Sequence, residues 1–169
     1  MIKLFKLDKP NILVVKEDEW LEKLMSPECT KNDKLKYRHK DIKKTLIEET
    51  SSKCAYCEDK MLSVAYGDIE HILPKAKYKN LTFAWENLTL SCSVCNNNKL
   101  ELDISERNMI HPYEDTPEDH IYFMGTLAVS KGAKGTNTIS LLELNRAELM
   151  QARSERLEKI AKVAEQIFN

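Results

Sequence analysis

Two Cys-x-x-Cys pairs, Cys54-Ala55-Tyr56-Cys57 and Cys92-Ser93-Val94-Cys95, constrain this chain more than any other feature. The spacing lets both thiolates of a pair turn onto one ion, and two pairs supply the four soft ligands that tetrahedral structural zinc prefers. The 34 residues between the pairs exceed the span of a simple zinc ribbon, so other machinery is expected there. A thioredoxin-like redox site would leave the second pair unexplained. Cys29 stands alone and is expected to be a buried free thiol.

Disulfides are the other alternative, and they depend on compartment. The sequence shows no apolar run near the ~20 residues needed to span a bilayer, and Met1-Ile2-Lys3-Leu4-Phe5-Lys6 lacks the apolar stretch of a secretory signal. The expectation is a cytoplasmic chain with no membrane association, where thiols stay reduced unless a metal or catalysis uses them. At 42% hydrophobic and 31% charged residues the 169-residue chain reads as one compact globular unit, and the strands and helices expected along it make the fold class α+β. Its organisation is expected to be an N-terminal strand and helical region over residues 1–50, a zinc-bound core over 51–112, and a C-terminal hairpin and helix over 113–169. The net charge of -1 excludes a globally basic polyanion binder, so charge has to be judged locally.

The β-branched cluster at residues 11–15 predicts a short buried strand, followed by an amphipathic helix over 17–25. A second helix is expected over about 32–49. Residues 31–44 carry seven Lys or Arg against Asp33 and Asp41, a run that fits a wet helix face as well as a nucleic-acid contact. Residues 120–129 and 136–141 read as two strands joined by a turn over 131–135. Asn145 with Glu148 forms a capping-box pattern for a C-terminal helix carrying Leu149, Leu157, Ile160, Ala164 and Ile167 at helical spacing, a stripe expected to be core or a partner surface.

Between the cysteine pairs lies Asp68-Ile69-Glu70-His71-Ile72-Leu73-Pro74-Lys75, then Trp85-Glu86-Asn87-Leu88, and directly after Cys95 comes Asn96-Asn97-Asn98-Lys99. A carboxylate beside a histidine offers a hard ligand for a divalent cation and an imidazole able to take a proton near neutral pH. On a strand the two side chains alternate faces, so they can serve one site only where the strand ends or bends. By itself such a pair is more often a surface feature than a catalytic one. His39, His111 and His120 lack comparable neighbours; His111-Pro112 reads as loop structure.

These residues resemble the HNH nucleases of the ββα-metal fold, in the branch whose paired cysteines bind zinc. The resemblance covers residues 54–99. It implies that Glu70 and Asn96 ligate a catalytic Mg²⁺ or Mn²⁺, that His71 is the general base, and that Asn87 braces the loop orienting that base. Glu70 stands where many relatives have Asp, and Asn96 where others have His; Asn97 and Asn98 remain alternatives to Asn96. Lys75, Lys77, Lys79 and Lys99 are expected to contact DNA phosphates, and Tyr78 among them to stack or pack. The tail from Thr138 to Arg146, with Arg153 beyond it, resembles HNH proteins of retrons and of the two-gene Septu anti-phage system, which implies an ABC- or SMC-type ATPase partner. Two rivals to a DNA endonuclease stand beside this reading: a ribonuclease toxin using the same site, and a non-catalytic zinc module that binds nucleic acid or protein.

Overall fold

In a computed structural model, residues 1–61 and 67–168 are described. Among them, two separate two-stranded antiparallel sheets are set among five α-helices. No helix of these residues is long and apolar enough to cross a membrane.

Helix α1 spans Asn11–Met25, so the strand expected over 11–15 is instead the start of this helix. The helical period prevails over β propensity there. Leu13, Trp20 and Leu24 lie on one buried face, while Val14 and Val15 point to solvent. The helix expected over 32–49 is divided. Asp33–Arg38 forms a 3₁₀ segment, His39 is extended at φ -57° and ψ 140°, and α2 runs over Lys40–Glu49. His39 caps α2, its Nδ1 accepting from the Asp41 amide at 3.3 Å. Cys29 is half-buried rather than fully enclosed.

Strands β1 (Asp68–His71) and β2 (Leu88–Ser91) pair antiparallel, with Glu70 opposite Thr89 and His71 opposite Leu88. Helix α3 (Ser93–Lys99) follows β2 after a single residue and lies against β1, which gives the ββα unit that the sequence resemblance implies. Ile72, Phe83, Leu88 and Leu90 are fully buried with Ile42 and Leu46 of α2, so one apolar core supports the unit from below.

The C-terminal third departs from expectation. The hairpin is shorter: β3 (Ile121–Met124) and β4 (Leu127–Ser130) turn at Gly125 and Thr126, with Gly125 at φ 58°. Residues 136–141, expected as a strand, belong to helix α4 (Ala133–Leu141), which packs on β4. That packing is close. A methyl group on Gly135 would lie 2.0 Å from the His120 carbonyl oxygen, so Gly135 allows helix and hairpin to approach rather than making a turn. Thr138, fully buried in α4, accepts from the Ile110 amide at 2.9 Å.

Helix α5 spans Ala147–Phe168. Asn145 does not cap it: Oδ1 accepts from the Ala128 amide and Nδ2 donates to the Ala128 carbonyl, both at 2.8 Å. The side chain thereby satisfies the open edge of β4, and the Arg146 carbonyl starts the helix by accepting from Leu149 and Met150. Of the expected apolar stripe only Leu149 is buried; Leu157, Ile160 and Ile167 are exposed.

Candidate active site and cysteine cluster

The four cysteines converge from two loops. Cys54 and Cys57 lie on the turn after α2, while Cys92 and Cys95 sit at the start of α3, where the Cys92 sulfur accepts from the Cys95 amide at 3.4 Å. All four sulfurs lie within 4.8 Å of one another, and Cys57 and Cys92 are 3.8 Å apart. Zn–S bonds of about 2.3 Å in a tetrahedron place sulfurs about 3.8 Å apart, the Cys57–Cys92 separation, so the four thiols suit a tetrahedral zinc site. Hydrogen bonds from the Cys54, Cys57 and Cys95 thiols lower the Cys92 pKa, and the same crowding pushes Cys57 and Cys95 upward.

Arg146 completes the cluster, and sequence reasoning missed this part. Its guanidinium reaches Cys57 at 3.7 Å and Cys92 and Cys95 at 3.9 Å. Four thiolates around Zn²⁺ would leave two excess negative charges, and a guanidinium against three of the sulfurs would offset one of them while tying the root of α5 to the knuckle. The available signal was a lone arginine in the tail pattern, which says nothing about distance to the cysteines.

Glu70 and His71 sit at the end of β1, where the alternation of faces stops, and both are buried. They line one cavity of about 340 Å³ together with Asp68, Asn96, Tyr37, Arg38 and Lys75. His71 Nε2 lies 2.9 Å from the Thr82 carbonyl oxygen. A carbonyl can only accept, so Nε2 carries the hydrogen and Nδ1 keeps its lone pair. Burial, reinforced by the charges of Lys75 and Lys99, lowers the His71 pKa to about 4, and the ring is neutral at physiological pH.

Asn87 clamps the loop between the strands. Its Oδ1 accepts from the Leu73 amide at 2.7 Å, and its Nδ2 donates to the carbonyls of Leu73 at 3.1 Å and Leu81 at 3.2 Å. Both ends of the segment leading to Thr82 are therefore held by one amide side chain.

Helix α3 faces β1 through two residues three apart, which share a helix face, as alternate residues share a strand face. Asn96 Nδ2 donates to Asp68 at 3.2 Å, and Lys99 Nζ donates to Glu70 Oε1 at 2.9 Å and to the His71 carbonyl at 2.8 Å. Since a carboxylate only accepts, it is the Asn96 amide nitrogen that Asp68 holds, which leaves Oδ1 free of that bond. Burial raises the Glu70 pKa and Lys99 opposes that rise. Asn97 is exposed and Asn98 donates to Glu143 at 3.1 Å, so neither alternative joins the cavity lining as Asn96 does.

The four expected phosphate lysines separate. Lys99 is fully buried in the Glu70 pair and cannot meet a phosphate. Lys77 is tied to Asp103 at 2.7 Å and also to Glu106, whereas Tyr78 donates to Asp103 at 2.8 Å and so packs rather than stacks. Lys79 is exposed away from the cavity lining, and Lys75 alone of the four lines it.

Residues 54–101 match the family model described as HNH endonuclease. With two antiparallel strands, a helix, the cysteine cluster and the His71 cavity in place, the chain carries an HNH endonuclease domain. It is similar to the Septu protein PtuB of Bacillus thuringiensis, with 33% identity over 149 residues, 88% of this chain and 56% of that protein. It is also similar to the Septu protein PtuB of Bacillus mycoides (strain KBAB4), with 27% identity covering 70% of this chain and 52% of that protein. The chain thus spans about half the length of the curated relatives it matches.

Proposed function

We propose that this chain is a metal-dependent endonuclease that hydrolyses DNA phosphodiester bonds as the nuclease of a cytoplasmic anti-phage system. The observation that carries the reading is a buried, neutral His71 with its Nε2 hydrogen committed to Thr82, in one cavity with the hard oxygen donors Glu70 and Asn96. That donor set suits Mg²⁺ or Mn²⁺. Bound there, the cation would polarise the scissile phosphate and stabilise the leaving oxygen.

The protein's own part is proton transfer and positioning. His71 Nδ1 takes a proton from water as the water oxygen bonds to phosphorus, and the bond from phosphorus to the leaving sugar oxygen breaks. Asn87 and the Thr82 carbonyl keep the imidazole in the tautomer and orientation this needs. Lys99 and Asp68 hold Glu70 and Asn96 in place. The cysteine cluster binds structural zinc, fixing the start of α3 relative to the loop after α2. An ATPase of ABC or SMC type is the proposed partner, a reading supported by the resemblance of the tail and by the apolar residues exposed along α5.

The test is cleavage of supercoiled plasmid in Mg²⁺ or Mn²⁺ by wild type and by a His71→Ala variant of verified zinc content. The variant should lose about 10²- to 10⁴-fold in rate. Equal cutting by the variant sinks the assignment of His71. Competition between DNA and RNA of one sequence in the same tube decides the substrate, with preference for RNA moving the reading to a ribonuclease.

A further inference from the structure

The catalytic cavity has two electrically different sides. Asp68, Glu70 and Asn96 supply the oxygens of one, while Arg38, Lys43 and Lys75 bring three cations to the same lining. Of the two carboxylates, Glu70 already has a buried cation of its own in Lys99. The cationic side comes largely from outside the family-model match at residues 54–101: Tyr37 and Arg38 end the 3₁₀ segment before α2.

Tyr37 organises that side. The ring is buried and meets His71 edge-on, with centroids 4.6 Å apart. Its hydroxyl oxygen accepts from Lys75 Nζ at 3.0 Å and from Arg38 Nε at 3.3 Å. Two donors use the oxygen's acceptor capacity, and among the described residues nothing accepts the hydroxyl's own hydrogen. Two cations gathered on one neutral oxygen repel each other, and an anion seated beside them relieves that repulsion while taking the hydroxyl hydrogen. A cluster of this kind next to a general base has the chemistry of a phosphate site.

We propose that Tyr37, Arg38 and Lys75 form a phosphodiester-binding wall of the catalytic cavity, holding a backbone phosphate of the nucleic acid beside His71. The proposal rests on the nuclease reading for its substrate class. It gives the basic stretch at residues 31–44 a specific job at its Tyr37-Arg38 step, and it joins Lys75, already expected to meet phosphate, to two residues outside the family-model match.

The experiment uses the full chain carrying His71→Ala, so that no substrate is consumed, and a fluorescein-labelled duplex of about 20 base pairs, with RNA of the same sequence in parallel. Binding is followed by anisotropy across roughly 50 to 200 mM salt. Arg38→Gln and Lys75→Gln should each weaken binding and flatten the slope of log K against log salt by about 0.9, the signature of one lost phosphate contact. Tyr37→Phe keeps the ring on position 71 and should weaken binding about fivefold with the slope unchanged, since no charge is lost. Arg38 and Lys75 are exposed, so their variants keep the test alive if Tyr37→Phe disturbs folding. Unchanged affinity and slope in the Arg38→Gln/Lys75→Gln double variant overturn the proposal, as does failure of the parent chain to bind either nucleic acid. The nuclease reading is scored separately, by whether the chain with His71 intact cuts the same duplex in Mg²⁺.

Discussion

Residues 54–99 and the C-terminal third are held together by different physics. In the first, nearly every functional side chain has a polar partner from another element: Asn87 on Leu73 and Leu81, Lys99 on Glu70, Asp68 on Asn96, and four sulfurs on one point. In the second, the contacts that matter are a missing methyl group at Gly135, one asparagine on the edge of β4, and a helix whose far end exposes Leu157, Ile160 and Ile167. The difference teaches that a ligand-centred unit tolerates little change in residue type, whereas a packed appendage is limited mainly by space.

Removing the metal should separate the two regions most widely. Chelation, or Cys95→Ser, should take away the proposed structural zinc, whose binding free energy is about 10–16 kcal/mol in small zinc domains, and the ββα unit should lose its cooperative unfolding transition. Calorimetry with zinc quantification checks this; an unchanged transition in metal-free protein would break the contrast. Next in size is Lys99→Met, which leaves the Glu70 carboxylate buried without its partner and should cost about 3–5 kcal/mol in denaturant unfolding. Adding Glu70→Gln should recover part of that loss, because the two residues are coupled.

In the appendage, Gly135→Ala should cost about 1–3 kcal/mol by forcing α4 away from the His120 carbonyl, with zinc content unaffected. A loss of zinc in this variant would show the two regions to be one cooperative unit. Smallest of all, Leu157→Ser with Ile160→Ser on the exposed stretch of α5 should change stability by less than about 0.5 kcal/mol. A larger loss in the isolated chain would mean that this face is already covered by a second copy, and the midpoint would then depend on protein concentration.

The legibility of the sequence follows the same division. Cys54, Cys57, Cys92, Cys95, Glu70, His71, Asn87 and Asn96 could be picked out because their chemistry restricts both residue type and spacing, and the structure brings the two cysteine pairs together and places Glu70, His71 and Asn96 on one cavity. Propensity misled where burial decided the outcome. Val14 and Val15 look like strand residues, yet the buried partners Leu13, Trp20 and Leu24 impose a helix. Gly132 and Gly135 look like a turn, yet one of them serves a close approach between elements. Asn145 looks like a cap, yet its amide bonds are used across the chain on Ala128.

The sequence by itself determined the four-cysteine knuckle and the acid-histidine-asparagine order, because ligand chemistry and short-range spacing are written locally. Only the tertiary structure decided which cations face the cavity: Lys99 is buried as the partner of Glu70, Arg146 lies on the cysteines, and Tyr37 with Arg38 arrives beside His71 from a segment far away in the chain. The physical reason is that a charge's role is set by burial and by its nearest opposite charge, both of which depend on distances in space that no spacing along the chain records.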